Sequence, residues 1–242
     1  MSSLVNRPMK RFYKTAEAVP AEGGLHAVHL DGRPVRTPSK AALAVPFPAL
    51  AEAIAAEWNE QGETLVLDNM PLTQLANSAI DRVAPLRDTM IEEVLRFAET
   101  ELLCYRVAEA EDAALAARQA STWQPLLDWA RQRYDAALCH TAGLMPVDQP
   151  PEALRALRAA VADLDDWRLT ALQAAAAPLG SLVLALALLE GRLDAEAAYR
   201  AAYLDELFQM EHWGADAEAQ ARLERQRKDI ADAARFLALL GS

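Results

Sequence analysis

The period of the hydrophobic pattern changes partway along this 242-residue chain, and that change restricts the fold more than any single motif. Between Arg11 and Pro46 the text is short, alternating and punctuated. Leu25-His26-Ala27-Val28-His29-Leu30 has a two-residue period, and Leu30-Asp31-Gly32-Arg33 supplies a turn. A second strand over residues 34–37 completes a hairpin. Phe12 and Tyr13 read as the first strand, and Pro38, Pro46 and Pro48 keep helices out of the segment between. From Ala49 the period becomes helical: Leu50, Ile54, Glu57 and Trp58 recur one turn apart, and Gly62 closes the element as a C-cap. Residues 64–67 read as a short strand returning to the sheet.

Beyond Met70 nearly all the text is helical. Leu86, Met90, Val94 and Phe97 form one apolar stripe, with Arg87, Asp88, Glu92, Glu93 and Arg96 on other faces. Residues 102–106, Leu-Leu-Cys-Tyr-Arg, read as one buried strand. Further helices are expected over 112–137, 151–164, 167–177, 179–190, 195–213 and 216–240, with Gly143, Pro178, Gly191 and Gly214 as interruptions. The fold class is α+β: a small strand-rich α/β domain over residues 1–69, then a larger all-helical domain over 70–242.

Composition narrows the function. A formal charge of −11 argues against a nucleic-acid partner, since such binding draws its strength from Lys and Arg displacing counterions on phosphate. Cys104 and Cys139 are too few for a disulfide framework and suit a reducing compartment. The most hydrophobic region, residues 179–189, is interrupted by Gly180 and Ser181 and falls short of the roughly 20 apolar residues of a membrane span. It reads as a core helix, and no stable membrane insertion is expected. Residues 1–14 carry Arg7, Lys10, Arg11 and Lys14 without an acid, but they lack the apolar stretch of a secretory signal. They read as a short basic arm, and the cytoplasm follows by default.

A catalytic constellation is hard to assemble. His26 and His29 are separated by an odd number of residues in a predicted strand, so they face opposite sides. His140 directly follows Cys139, and adjacent side chains do not converge on one ion. No phosphate loop or dinucleotide fingerprint occurs. Asp205 and Glu206 diverge by about 100° on a helix. No catalytic residue, metal or cofactor is therefore expected. The competing reading is a small-molecule hydrolase using carboxylates of the helical domain.

The remaining polar motifs are clustered. Asp205 and Gln209 share a helical face one turn apart beside Glu206 and Phe208, and Trp213 precedes a break. In Trp213-Gly214-Ala215-Asp216-Ala217-Glu218-Ala219, Asp216 suits the cap of the last helix, which leaves Glu218 free for a partner. Structural roles are assigned to Glu57, Trp58, Asn77 and Asp81. Trp58 reads as an anchor of the domain junction, and Asn77 and Asp81, one turn apart, as partners of backbone in the neighbouring sheet.

Seven motifs occur in order and in register with one known family: Lys10-Arg11-Phe12-Tyr13-Lys14, Leu30-Asp31-Gly32-Arg33-Pro34-Val35-Arg36-Thr37-Pro38, Ala56-Glu57-Trp58, Met70-Pro71-Leu72-Thr73, Leu102-Leu103-Cys104-Tyr105-Arg106, Gly180-Ser181-Leu182 and the Trp213 to Ala219 run. Through them the chain resembles the assembly chaperones of the F1 ATP synthase alpha subunit, the type represented by mitochondrial F1 assembly factor 2. It departs from the pattern in having Glu101 for an expected Asp and Phe208 for Trp. The resemblance implies a mixed N-terminal domain, a helical C-terminal domain, and transient binding of the unassembled alpha subunit without nucleotide hydrolysis. It implies a monomeric chaperone, cytoplasmic in bacteria and in the mitochondrial matrix for eukaryotic relatives; the pattern begins about ten residues in, which leaves little room for a transit peptide. Glu218, Asp216, Asp205, Glu206, Gln209 and Trp213 are the expected partner-binding residues. A general holdase, indifferent to its client, is a further alternative.

Overall fold

The computed structural model describes residues 9–143, 145, 147–214 and 216–241. The expected basic arm lies outside the described residues as far as Pro8, as does Ala215 of the last motif. The chain divides into two compact units: residues up to Pro85 with those from Ala238 onward, and Leu86–Leu237.

In the first unit, β1 (Ala16–Pro20), β2 (His26–Leu30), β3 (Arg33–Pro34) and β4 (Ala44–Val45) form an antiparallel sheet around β2. β1 pairs along one edge of β2, with Ala16 opposite Leu30 and Pro20 opposite His26, and β3 and β4 share the other edge. The hairpin turn needs two left-handed residues, which Asp31 (φ 47°) and Gly32 (φ 77°) supply. The Asp31 carboxylate also accepts the backbone N–H of Thr15 at 3.0 Å and of Lys14 at 3.1 Å, and these bonds hold its pKa below the usual carboxylate value.

The first strand begins at Ala16, later than the Phe12 and Tyr13 expected from sequence. The stretch before it is used differently: the Arg11 guanidinium donates to the carbonyls of Tyr13, Lys14 and Asn59. Residues 64–67 are likewise no sheet strand. Thr64 makes an isolated bridge with Lys10, and Leu67–Asn69 is a single 3-10 turn. Helix α1 (Pro48–Asn59) packs on β1, β2 and β4 through Leu50, Ala51, Ile54 and Ala55. Its last residue, Asn59, exchanges two 2.8 Å hydrogen bonds with the backbone of Ala16.

Glu57 determines where the first unit ends. Its buried carboxylate accepts the N–H groups of Leu72 (2.8 Å) and Thr73 (2.9 Å) and the Thr73 hydroxyl (2.8 Å). These are orphan donors at the start of α2 (Pro71–Ser78), where Pro71 has none to offer. A π-helical turn over Ala79–Val83 then presents Asp81, which accepts the Thr37 hydroxyl at 2.7 Å and the Ser39 N–H at 2.8 Å. Both contacts tie α2 and its extension to α1 and the sheet side, so the compact division falls after Pro85 instead of after Asn69.

The second unit is built around a helix that is apolar on every side. α7 (Leu182–Leu189) is surrounded by α3 (Arg87–Glu99), α4 (Ala113–Tyr134), α6 (Asp166–Leu179) and α8 (Ala195–Ala202), and Leu182 to Leu188 are at most 6% exposed. A helix without a polar face has no other stable position in water. α5 (Pro151–Ala162) packs on α3 and α4, α9 (Leu204–Trp213) on α4 and α8, and α10 (Ala217–Leu239) closes the order. The buried stripe of α3 is Met90, Ile91, Val94, Leu95 and Ala98; Leu86 is half exposed and Phe97 only partly covered, so the stripe is rotated from the one read in the sequence. Two further expectations change. Residues 102–106 form a 3-10 turn, Leu102–Cys104, then the two-residue strand β5 (Tyr105–Arg106), which pairs in parallel with β6 (Thr141–Ala142). The single helix expected over 195–213 is two, broken at Tyr203 (φ −105°, ψ 26°), whose hydroxyl donates to the Pro178 carbonyl at 2.6 Å.

The N-terminus of α7 is as dry as its flanks, so its free N–H groups need partners from the protein. Ser181 accepts from Leu184 N–H at 2.9 Å, and Glu101, fully buried, accepts from Val183 N–H at 3.1 Å and Leu103 N–H at 3.3 Å. Desolvation outweighs these bonds and raises the Glu101 pKa to about 7. In the unfolded chain this carboxyl ionises near its ordinary value, so from about pH 5 to about 7 only the folded state keeps the proton. Stability is then full below the unfolded pKa and falls as pH rises through the folded one, by about 3 kcal/mol. Thermal melting of Glu101→Gln is expected to lack this fall between pH 5 and 8; an identical pH slope in the two proteins would contradict the assignment.

Candidate functional site

The residues expected to meet a partner lie on α9, the turn after it and the first turn of α10, all in the second unit. Their local structure separates them into anchors and free groups. Asp205 is an anchor: its Oδ1 accepts from Gln119 Nε2 at 2.8 Å, and Gln119 Oε1 accepts the Val107 N–H at 2.8 Å. Gln119 is fully buried on α4, so this pair fixes the start of α9 against the helix beneath. Phe208 is buried one turn later, with the Arg118 guanidinium 4.9 Å from its ring centre and the His212 ring 4.3 Å away. Asp205 and Gln209 therefore do not act together, because Asp205 turns to α4 while Gln209 is exposed.

Glu206, Gln209 and Trp213 instead share a face, at i, i+3 and i+7. Glu206 is partly exposed and Trp213 is 75% exposed, an unusual position for the largest apolar side chain. The helix ends because Gly214 adopts φ 80°, a conformation open to glycine. Asp216 then caps α10 by accepting the Ala219 N–H at 2.8 Å. Glu218, in the first helical turn, is exposed. The elbow thus brings Glu206, Gln209, Trp213 and Glu218 to the surface, while Asp205 and Asp216 hold its shape.

The residues given structural roles lie in the first unit. Trp58 packs edge-on against Tyr13 at 5.6 Å between ring centres, and its backbone carbonyl accepts the Tyr13 hydroxyl at 2.7 Å. Its Nε1 and the Oδ1 of Asn77 are buried without a hydrogen-bond partner among the described residues. Asp81 accepts the Ser39 backbone N–H, and Asn77 Oδ1 has no partner among the described residues.

A groove of about 1100 Å³ between α4, α8 and α9 escaped the sequence reading. Leu126, Leu193, Leu204, Leu207 and Met210 give it an apolar lining, and Arg118, Arg192, Arg200 and Arg227 stand with Glu196 and Glu211 among its polar residues. Pro125, inside the helical text of α4, was the visible signal of an irregular helix face. Among the described residues no three His, Cys, Asp or Glu side chains gather to hold a metal ion, and no helix is long and apolar enough to cross a membrane.

The division into anchors and free groups has a direct check. Asp205→Ala leaves the buried Gln119 amide without its acceptor, at a cost of about 1–3 kcal/mol, whereas Gln209→Ala removes only exposed atoms. Thermal melting is expected to fall for the first and stay unchanged for the second; the reverse order would overturn the anchor role.

The profile of the family described as ATP12 chaperone protein matches residues 10–131. Protein atp12, mitochondrial, of Schizosaccharomyces pombe is 27% identical over 224 residues, which cover 88% of this chain and 76% of that protein. The crystal structure of Atp12 from Paracoccus denitrificans is 44% identical with a TM-score of 0.89, over 96% of this chain and 98% of that one. The Atu1473 protein of Agrobacterium tumefaciens, described as a putative chaperone, is 39% identical with a TM-score of 0.89, over 96% of this chain and 86% of that one. The profile covers the sheet, the helices up to α4 and the buried glutamates Glu57 and Glu101, and the structural matches extend over almost all the rest, so the chain belongs to the ATP12 chaperone protein family.

Proposed function

We propose that this protein is an assembly chaperone of the F1 ATP synthase that holds the unassembled alpha subunit through the α9–α10 elbow. The family supports a chaperone in place of an enzyme, and the resemblance of its motifs to those of alpha-subunit chaperones favours the alpha subunit as the client. The observation that carries the elbow is the stripe of partly exposed Glu206 and exposed Gln209 and Trp213 on α9, whose base is fixed by Asp205, followed by exposed Glu218 at the start of α10.

The physics of the task fits such a surface. An unassembled subunit exposes an interface meant for its neighbours, and obligate interfaces are more apolar than ordinary surface. A covering protein has to bind firmly and still yield to the proper neighbour. One exposed aromatic ringed by polar groups suits that need, since Trp supplies contact area and the rim supplies orientation. The surplus of negative charge steers encounter with a less acidic client more than it sets final affinity. In this reading the chaperone acts as a monomer in the bacterial cytoplasm, without cofactor, nucleic acid or membrane.

Reversing the charge of Glu218 tests the site. The Glu218→Lys change costs about 1 kcal/mol or less at a helix start, so melting is expected to be nearly unchanged while capture of purified alpha subunit in a pull-down falls several-fold. Undiminished capture would remove Glu218 from the interface.

A further inference from the structure

We propose that the groove between α4, α8 and α9 receives a single amphipathic helix of the client, apolar along one face and flanked by carboxylates. This rests on the chaperone reading above and extends its contact beyond the elbow. At about 1100 Å³ the groove exceeds the range of about 300–1000 Å³ typical of small-molecule sites. Its lining comes from helices and the turn before α8, so no strand edge is offered for an extended peptide to join. Tyr199 is its one aromatic, too few for the ringed grooves that take polyproline segments. An apolar trough between helices is the setting for a docked helix with anchors at i, i+3, i+4 and i+7.

Charge selects the flanks. Arg118 pairs with Glu211 at 2.7 Å, and Glu196 pairs with both Arg200 (2.9 Å) and Arg227 (2.7 Å). Arg192 is exposed and makes no ion pair among the described residues. Arg227 also lies 3.8 Å from Glu224 of the adjoining hollow, but the groove's own lining carries four guanidinium groups and two carboxylates, a net positive charge in a chain with a formal charge of −11. A carboxylate-flanked helix gains Arg192 outright and shares the others; a lysine-flanked helix is repelled. Met210, a side chain that adapts to varied surfaces, lines both this groove and a smaller hollow formed with Ala217, Gln220 and Glu224 of α10. The groove therefore runs on to the elbow that carries Glu218, and one client can occupy both.

Two probes test this with the full chain: purified alpha subunit, and a helical peptide of about 14 residues, roughly 21 Å long, with leucines at i, i+3, i+4 and i+7 and either glutamate or lysine flanks. Fluorescence anisotropy is expected to show the glutamate peptide binding at least roughly tenfold more tightly than the lysine peptide. The double variant Arg192→Glu with Arg200→Glu, checked by melting, is expected to lose about tenfold or more for both the glutamate peptide and the alpha subunit. If the wild type captures alpha and the double variant captures it equally, the groove is overturned and the chaperone reading stands. If the wild type binds the glutamate peptide selectively but not alpha, the client assignment fails and the groove stands. Equal affinity for the two peptides, or binding of neither, overturns the groove.

Discussion

A helix buried on all sides cannot leave its first N–H groups to water, and the second unit is arranged around meeting that demand for α7. Ser181 and Glu101 supply the acceptors, and neither can be moved without exposing or orphaning backbone that four neighbouring helices cover. Glu101 also accepts from Leu103, so the same carboxyl fixes the turn that leads into β5. From there Val107 reaches Gln119, Gln119 reaches Asp205, and the base of α9 is set. The position of the elbow thus follows, through a short chain of hydrogen bonds, from the requirement to cap one apolar helix. The first unit repeats the device independently, with Glu57 capping α2.

This division of labour suits a protein that works by surface recognition. Carboxylates that would be candidates for catalysis in another fold hold elements in place here: Glu57 and Glu101 accept backbone donors inside, Asp205 accepts the buried Gln119 side-chain amide, and Asp216 caps α10 at the surface. The groups left at the elbow are an aromatic, an amide and acids on a rigid helix, which lowers the entropy lost when a partner is bound. The cationic groove beside it gives the same face both signs of charge, and that is a route to selectivity among clients that differ in charge pattern.

Much of the architecture is legible locally. The Asp-Gly turn, the period of β2, the uniform hydrophobicity of α7 and the acid before α10 each report their structure through neighbours in sequence. The misses share a cause, which is dependence on distant partners. Nothing in Ala195 to Trp213 breaks the helical period at Tyr203, because the break is stabilised by a bond to Pro178 in another helix. The late start of β1 reflects Arg11 reaching the carbonyl of Asn59. α3 is rotated from its expected stripe because Ile91 and Leu95 pack where Leu86 and Phe97 were expected. Glu57 and Glu101 look like surface acids until the helices they cap are placed. Of the candidate site, the outward group was visible as a cluster in sequence, but the split between anchors and free residues was not. The groove had no local signal beyond Pro125, since its arginines come from three separate helices and the turn before α8.

Under the proposed function, the alpha subunit is held only until its proper neighbour arrives. Native mass spectrometry of the chaperone mixed with purified alpha subunit, followed by stepwise addition of beta, measures that exchange directly. A one-to-one complex with alpha is expected, disappearing as alpha–beta assemblies form and free chaperone returns. Absence of the first complex, or a chaperone retained in the finished assembly, would contradict it.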